Sequence, residues 1–72
     1  MKTDVRHIFG ARLREVRAAR AMSQEALAFA AKLHRTYVGG IERGERNPSL
    51  TNVVRLVKAL RMTPSELLEG VR

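Results

Sequence analysis

The 72-residue chain contains no cysteine. That absence excludes disulfide staples and cysteine-based zinc sites, and two isolated histidines, His7 and His34, make no metal cluster. No apolar run approaches the ~20 residues needed to span a membrane. The opening stretch from Met1 to His7 lacks the apolar core of a signal peptide. No strand alternation, repeat, linker or low-complexity tract is visible. Asp and Glu are scattered, no Ser/His/Asp set is suitably spaced, and no glycine loop is placed to cradle phosphate. The expectation is therefore no enzyme, no cofactor, no metal site and no membrane partner, with residence in the reducing cytoplasm.

What is present is positive charge. Lys and Arg number 14 against 7 Asp and Glu, a formal net charge of +7 on 8.1 kDa. Such a field makes polyanions the default partner class, nucleic acid before anionic membrane. A chain this short forms one domain at most and buries only about 60% of its unfolded surface. With disulfides and metals excluded, well-matched helix packing or self-association must supply the rest of its stability.

Apolar residues recur at helical spacing in five segments. The first runs from about Val5 to Arg20, with Val5, Ile8, Phe9, Leu13 and Val16 on one stripe and Thr3 or Asp4 as its cap. The second starts at the N-cap Ser23 and continues through Leu27 to Ala31; Ala26 stands where a glutamate would complete a capping box. The third covers about Arg35 to Arg43, buries Val38 and Ile41, and ends at Gly44. Asn47-Pro48 blocks continuation, and Ser49 caps a fourth, whose predicted core stripe is Leu50, Val53, Val54, Val57 and Leu60. The fifth opens with Thr63-Pro64-Ser65-Glu66, which combines N-cap, proline at N1 and glutamate at N3. Its apolar face is Leu67, Leu68 and Val71, and Gly70 is expected to end it. That face offers more apolar surface than a short helix easily buries. Leu60, Met62, Leu67, Leu68 and Val71 are therefore expected to form a two-fold dimer contact.

The stretch from Ser23 to Gly44 reads SQEALAFAAKLHRTYVGGIERG. Two helices joined by a short turn place the second across a DNA groove of matching width, with polar side chains at its start facing the bases. Arg35 and Thr36 fall there, and Gly39 and Gly40 are read on the same solvent side. Arg35 can donate a bidentate pair to guanine O6 and N7, and Thr36 can bond a base or touch a thymine methyl. Tyr37 can reach a phosphate through its hydroxyl.

The set Ser23, Gln24, Glu25, Leu27, Ala28, Arg35, Thr36, Val38, Ile41, Glu42, Arg43 and Gly44 closely resembles the helix-turn-helix of the phage repressor/Cro-like family. The resemblance continues upstream in Leu13-Arg14-Glu15-Val16-Arg17 and downstream in Arg46-Asn47-Pro48-Ser49-Leu50, and covers about residues 8 to 70. The Arg-Thr-Tyr-Val and Gly-Ile-Glu-Arg-Gly-Glu-Arg-Asn strings look most like the small controller proteins of restriction–modification systems. It implies an all-α, compact five-helix phage-repressor-like domain spanning residues 1–72, its helix-turn-helix formed by the second and third helices. It implies a sequence-specific regulator of transcription that binds double-stranded DNA as a homodimer on an inverted repeat, controls its own gene, and has RNA polymerase as a further partner. Base contacts would come from Arg35, Thr36 and Gly40. Backbone contacts would come from Gln24, Lys32, His34, Tyr37, Arg43, Arg46 and Asn47. Arg17 and Glu42 stand where the family links its first and third helices by a structural ion pair.

Departures from the family pattern are equally specific. Lys32 replaces the usual turn glycine, so a positive φ is expected there. His34 replaces a Ser or Thr N-cap. Gly39 and Gly40 each cost a helix interior roughly 0.8–1 kcal/mol relative to Ala. Phe29 falls on the outward side of the second helix, where a polar residue is usual. Two other functions compete with the regulator. An antitoxin-like module that sequesters a partner protein would be favoured by a long tail, and none follows Arg72. Binding RNA or a membrane surface through charge alone would not need so ordered a motif.

Overall fold

The computed structural model describes residues 4–72; Thr3, one of the two expected caps, lies outside them. Five helices and no strand occur among the described residues: α1 Val5–Ala19, α2 Gln24–Ala31, α3 Arg35–Glu42, α4 Leu50–Leu60 and α5 Pro64–Leu67. Four begin at a side-chain cap. Asp4 accepts from the Arg6 amide at 2.8 Å, Ser23 from Ala26 at 2.9 Å and Ser49 from Asn52 at 3.1 Å. Thr63 and Glu66 form a full capping box, closed by the Thr63 amide donating to Glu66 Oε1 at 2.8 Å. These caps satisfy amides that a helix start leaves without partners.

One apolar core runs through the molecule. Phe9, Leu13 and Val16 of α1 meet Leu27, Ala28 and Ala31 of α2, Val38 and Ile41 of α3, Leu56, Val57 and Leu60 of α4, and Leu67 of α5. The stripe predicted for α4 is corrected at Leu50 and at Val54, which is only partly buried and lies outside the core cluster. Leu56 is fully buried, whereas Leu50 is 79% exposed because it stands in the first turn, beyond the end of the core. The last helix is also shorter than expected. It stops at Leu67, and a turn over residues 68–70 follows directly, ending on the positive-φ Gly70.

Residues outside the apolar side-chain core also set how the helices meet. Gly10, inside α1, is a point of backbone contact with α3: a Cβ there would collide with the Ile41 carbonyl oxygen and lie 2.7 Å from that of Glu42. Arg12 donates to the carbonyls of Glu66 (2.7 Å) and Leu67 (3.1 Å), tying α1 to α5. Arg20 donates to the Leu60 carbonyl at 2.5 Å, where α4 ends. Both arginines thus donate to carbonyls in the last turn of a helix, where backbone donors run out. Lys32 has φ +60°, as the missing turn glycine implied. Ala21 (+54°) and Arg61 (+57°) adopt the same left-handed conformation after α1 and α4. No described helix is long and apolar enough to cross a membrane.

Candidate nucleic-acid interface

The site begins with the turn between α2 and α3. The Lys32 amide donates to the Phe29 carbonyl (3.2 Å) and the Leu33 amide to that of Ala28 (2.8 Å), closing α2 and redirecting the chain. His34 then occupies the N-cap of α3 without capping it through its side chain. Its Nδ1 lies 3.3 Å from Thr36 Oγ1 instead. Arg35 and Thr36 follow in the first turn, both exposed. Tyr37 is half-buried, and its hydroxyl accepts from Asn52 Nδ2 at 3.0 Å, which leaves the phenolic O–H free to donate.

At the other end of α3, Glu42 is the anchor. Its side chain is 2% exposed and accepts a bidentate pair from Arg17, at 2.6 Å from Nε and 3.0 Å from Nη2. Arg17 Nη1 also donates to the Met22 carbonyl at 2.7 Å. The hydrogen bonds to Glu42 hold the Arg17 guanidinium above its ordinary pKa. A third donor, Gln24 Nε2, reaches Glu42 at 2.9 Å. One buried carboxylate therefore joins α3 to both α1 and α2. Buried charges of this kind survive only when their hydrogen bonds are made. The amide of Gln24, expected at a DNA phosphate, is here turned first toward Glu42.

The glycine pair differs from expectation. Gly39 and Gly40 are buried rather than solvent-facing. A Cβ on Gly39 would meet Arg43 Nη1 at 3.0 Å, and one on Gly40 would meet Arg46 Cγ at 2.8 Å. Bare backbone makes room for the Arg43 guanidinium and the Arg46 stem lying along α3. Gly40 accordingly has no open surface for a base edge, and its expected base contact is corrected to a seat for Arg46. Arg43 pairs with Glu45 at 3.0 Å on the surface, which lowers the Glu45 carboxyl below its usual pKa. His34, Arg46 and Asn47 are exposed, as is Lys32. Lys32 shares a concave basic patch with Arg55 and Lys58 of α4, two cations that sequence reasoning passed over although they stand one turn apart.

The expected dimer surface is corrected as well. Leu60 and Leu67 are 1% and 0% exposed, consumed by the core of their own chain. Apolar surface remains at Leu68 (43%), one of the expected residues, and beside it at Val5 (53%) and Leu50 (79%). These residues border a groove of about 190 Å³ that also touches Phe9, Val53 and Val71. Met62 is half-buried against the core.

A short helix with an open polar start, held at a fixed angle behind a second short helix, defines a helix-turn-helix DNA-binding domain. The helix-turn-helix family model matches residues 13–67. Control protein C.BamHI of Bacillus amyloliquefaciens is 47% identical over 70 residues, which cover 96% of this chain and 86% of that protein. Control protein C.SmaI of Serratia marcescens is 42% identical over 65 residues, 90% of this chain and 77% of that one. The crystal structure of the restriction–modification controller protein C.AhdI from Aeromonas hydrophila is similar with a TM-score of 0.85 and 55% identity, over 86% of this chain and 94% of that one. The chain belongs to the helix-turn-helix family and, within it, to the controller proteins of restriction–modification systems. It is a regulator and not an enzyme, and nothing among these relatives supports the antitoxin-like alternative. A further similar structure, with a TM-score of 0.87 and 27% identity over 97% of this chain and 92% of that one, is the C.Esp1396I tetramer in complex with its natural 35-base-pair operator.

Proposed function

We propose that residues 1–72 form one DNA-binding domain that acts as a homodimer on an inverted-repeat operator and controls its own promoter. Arg35 and Thr36 read base edges, and Gln24, Lys32, His34, Tyr37, Arg43, Arg46 and Asn47 grip the backbone. The observation that carries this reading is the pairing of two exposed polar side chains at the start of α3 with a buried anchor, Glu42, at its end. A recognition helix must hold its angle while its tip enters the groove, and this arrangement suits both needs. One such helix reads only a few base pairs, so a two-fold pair of chains doubles the site. The groove bordered by Val5, Leu50 and Leu68, with Val71 at its edge, is the surface we assign to the second chain. Met62 lies outside that assignment. RNA polymerase is the partner assigned for any activating role, and the cytoplasm the place of action.

The test is a binding titration on operator and scrambled duplex at several salt concentrations. Arg35→Ala should weaken operator binding by about 1–3 kcal/mol and relax preference at one base pair per half-site. Arg43→Ala should weaken both duplexes alike and flatten the salt dependence by roughly 0.9 in log–log slope. Equal loss on both duplexes for Arg35→Ala would make it an electrostatic anchor and remove it as the base reader.

A further inference from the structure

His7 has no part in the apolar core, yet its ring is placed. A Cβ on Gly44 would meet His7 Cγ and Cδ2 at 2.6 Å and Nε2 at 2.9 Å. One side of the imidazole therefore covers this glycine, which is buried although His7 itself is exposed. Helical spacing explains the match. His7, Gly10 and Arg17 recur at intervals that bring them to one face of α1. Gly10 lies against the carbonyls of Ile41 and Glu42, Arg17 holds the Glu42 side chain, and His7 reaches the loop just past the end of α3.

The α3 side of that loop is held by its own backbone. The Gly44 amide donates to the Ile41 carbonyl at 3.0 Å, and those of Glu45 and Arg46 donate to the Gly40 carbonyl at 2.9 and 3.3 Å. The His7 ring closes the other side. Gly44 has φ +77°, so a side chain there would be strained as well as blocked by the ring. The segment so held carries Arg43, Arg46 and Asn47, all exposed and all among the residues assigned above to the DNA backbone. Resting on that function, we propose that His7 is a positioning residue for DNA binding, its ring holding the loop from Gly44 to Asn47 where Arg46 and Asn47 meet phosphates. A loop set in advance does not have to be ordered when DNA binds, and the affinity keeps what ordering would cost. Phosphates carry no direct sequence information, so the contribution is the same on every duplex. The ring supplies it by contact and not by charge.

The experiment compares wild type, His7→Ala and His7→Phe at about pH 8, where an ordinary imidazole is neutral. Each is titrated at several salt concentrations on an operator selected by wild type from random duplexes and on a scrambled duplex. His7→Ala should weaken both complexes alike by about tenfold, the lower end of what one hydrogen bond to a charged group is worth. Its log–log salt slope should flatten by roughly 0.9, one phosphate contact. His7→Phe, which keeps a ring over Gly44, should regain most of both. In an Arg46→Ala background, His7→Ala should cost no more than about a further twofold, because coupled residues do not add. Thermal melts should find every variant folded at the titration temperature. A purely structural role would lower the melting temperature and leave the slope unchanged, and that result would overturn the proposal. Wild-type affinity in His7→Ala would do the same, as would a full tenfold loss in the Arg46→Ala background. Failure of His7→Phe to restore binding would make the imidazole itself the phosphate ligand and overturn it too. If wild type preferred no selected duplex over the scrambled one, the regulator reading would fall by itself, and the scrambled-duplex titrations would still decide the role of His7.

Discussion

The two sides of α1 are built differently. Toward α3, Gly10 lets backbone touch backbone, and Arg17 meets Glu42 in a junction with almost no exposed surface. Toward the starts of α4 and the end of α5, the same helix borders an apolar groove in which Val5, Leu50 and Leu68 remain in solvent. The first junction fixes an angle. The second leaves apolar area uncovered, which a chain with so small a core has reason to bury in a second subunit. The close-packed junction lies behind α3, and the uncovered apolar area lies away from it.

The contrast is tested most severely at the ion pair. Arg17→Ala should cost about 3–5 kcal/mol in urea unfolding, because it strands a buried carboxylate. A loss below about 1 kcal/mol, the scale of an exposed pair, would show that Glu42 does not anchor α3. Next comes Gly10→Ala, expected to cost about 1–3 kcal/mol by overpacking, since carbonyl oxygens of α3 stand where the methyl would go. Full stability in that variant would mean that the helices separate freely. On the open side, Leu50→Ser with Leu68→Ser should leave the monomer's thermal stability nearly unchanged while weakening self-association at least about tenfold in sedimentation equilibrium, or about 1.4 kcal/mol. Unaltered association would move the dimer surface elsewhere.

Two smaller effects sharpen the picture. Lys32→Gly should stabilise by about 1 kcal/mol, because Lys holds a left-handed conformation that costs an L-residue about 1–2 kcal/mol. Thermal melts at neutral pH would show it. Acid should act last and least. Hydrogen bonds from Arg6 hold the Asp4 carboxyl down to about 2, and Glu45 and Glu66 lie below their ordinary 4.5 through Arg43 and Thr63. Groups lowered in the folded state stabilise it above their unfolded pKa and lose that contribution as pH falls through the folded value. Melting temperature should therefore decline gently below about pH 4.5, with Asp4 the last to protonate, near pH 2. All three groups are exposed, so high salt should remove most of the slope for the charge pairs.

The helices were largely legible because their ends are written in local chemistry. Ser23, Ser49 and Thr63-Pro64-Ser65-Glu66 name their helix starts, and Lys32 in a glycine position named the left-handed turn. The ion pair of Arg17 and Glu42 was legible only through family resemblance. Periodicity says which face of a helix is apolar, but not where along its axis the core stops. That is why Leu50 was placed inside and Leu56 overlooked, and why Leu60 and Leu67 were offered to a partner they cannot reach. Gly39 and Gly40 were misread for a different reason. Their surroundings come from Arg43 and Arg46, whose side chains fold back over the helix in a way that no short-range pattern encodes. Gly10 carried no signal except its presence in the middle of a helix, and nothing in the sequence pointed to the backbone of α3 beside it.

The carbonyl contacts of Arg12 and Arg20 have a consequence for how the chain reaches its native state. They join residues 54, 55 and 40 positions apart, so their loops are among the widest the domain must close. Such contacts form late, after local helices and the α2–α3 turn have removed most of the chain's freedom. Until then α1 carries two guanidinium groups without their carbonyls, and the turns that follow α4 and α5 have open ends. The α1–α3 junction can assemble first, and docking of α4 against α2 and of α5 against α1 then completes a single cooperative unit. Amides of α5 should accordingly exchange with solvent faster than those of α3 in a native-state hydrogen-exchange experiment, and substitutions at Arg12 or Arg20 should chiefly speed unfolding while leaving the folding rate nearly unchanged.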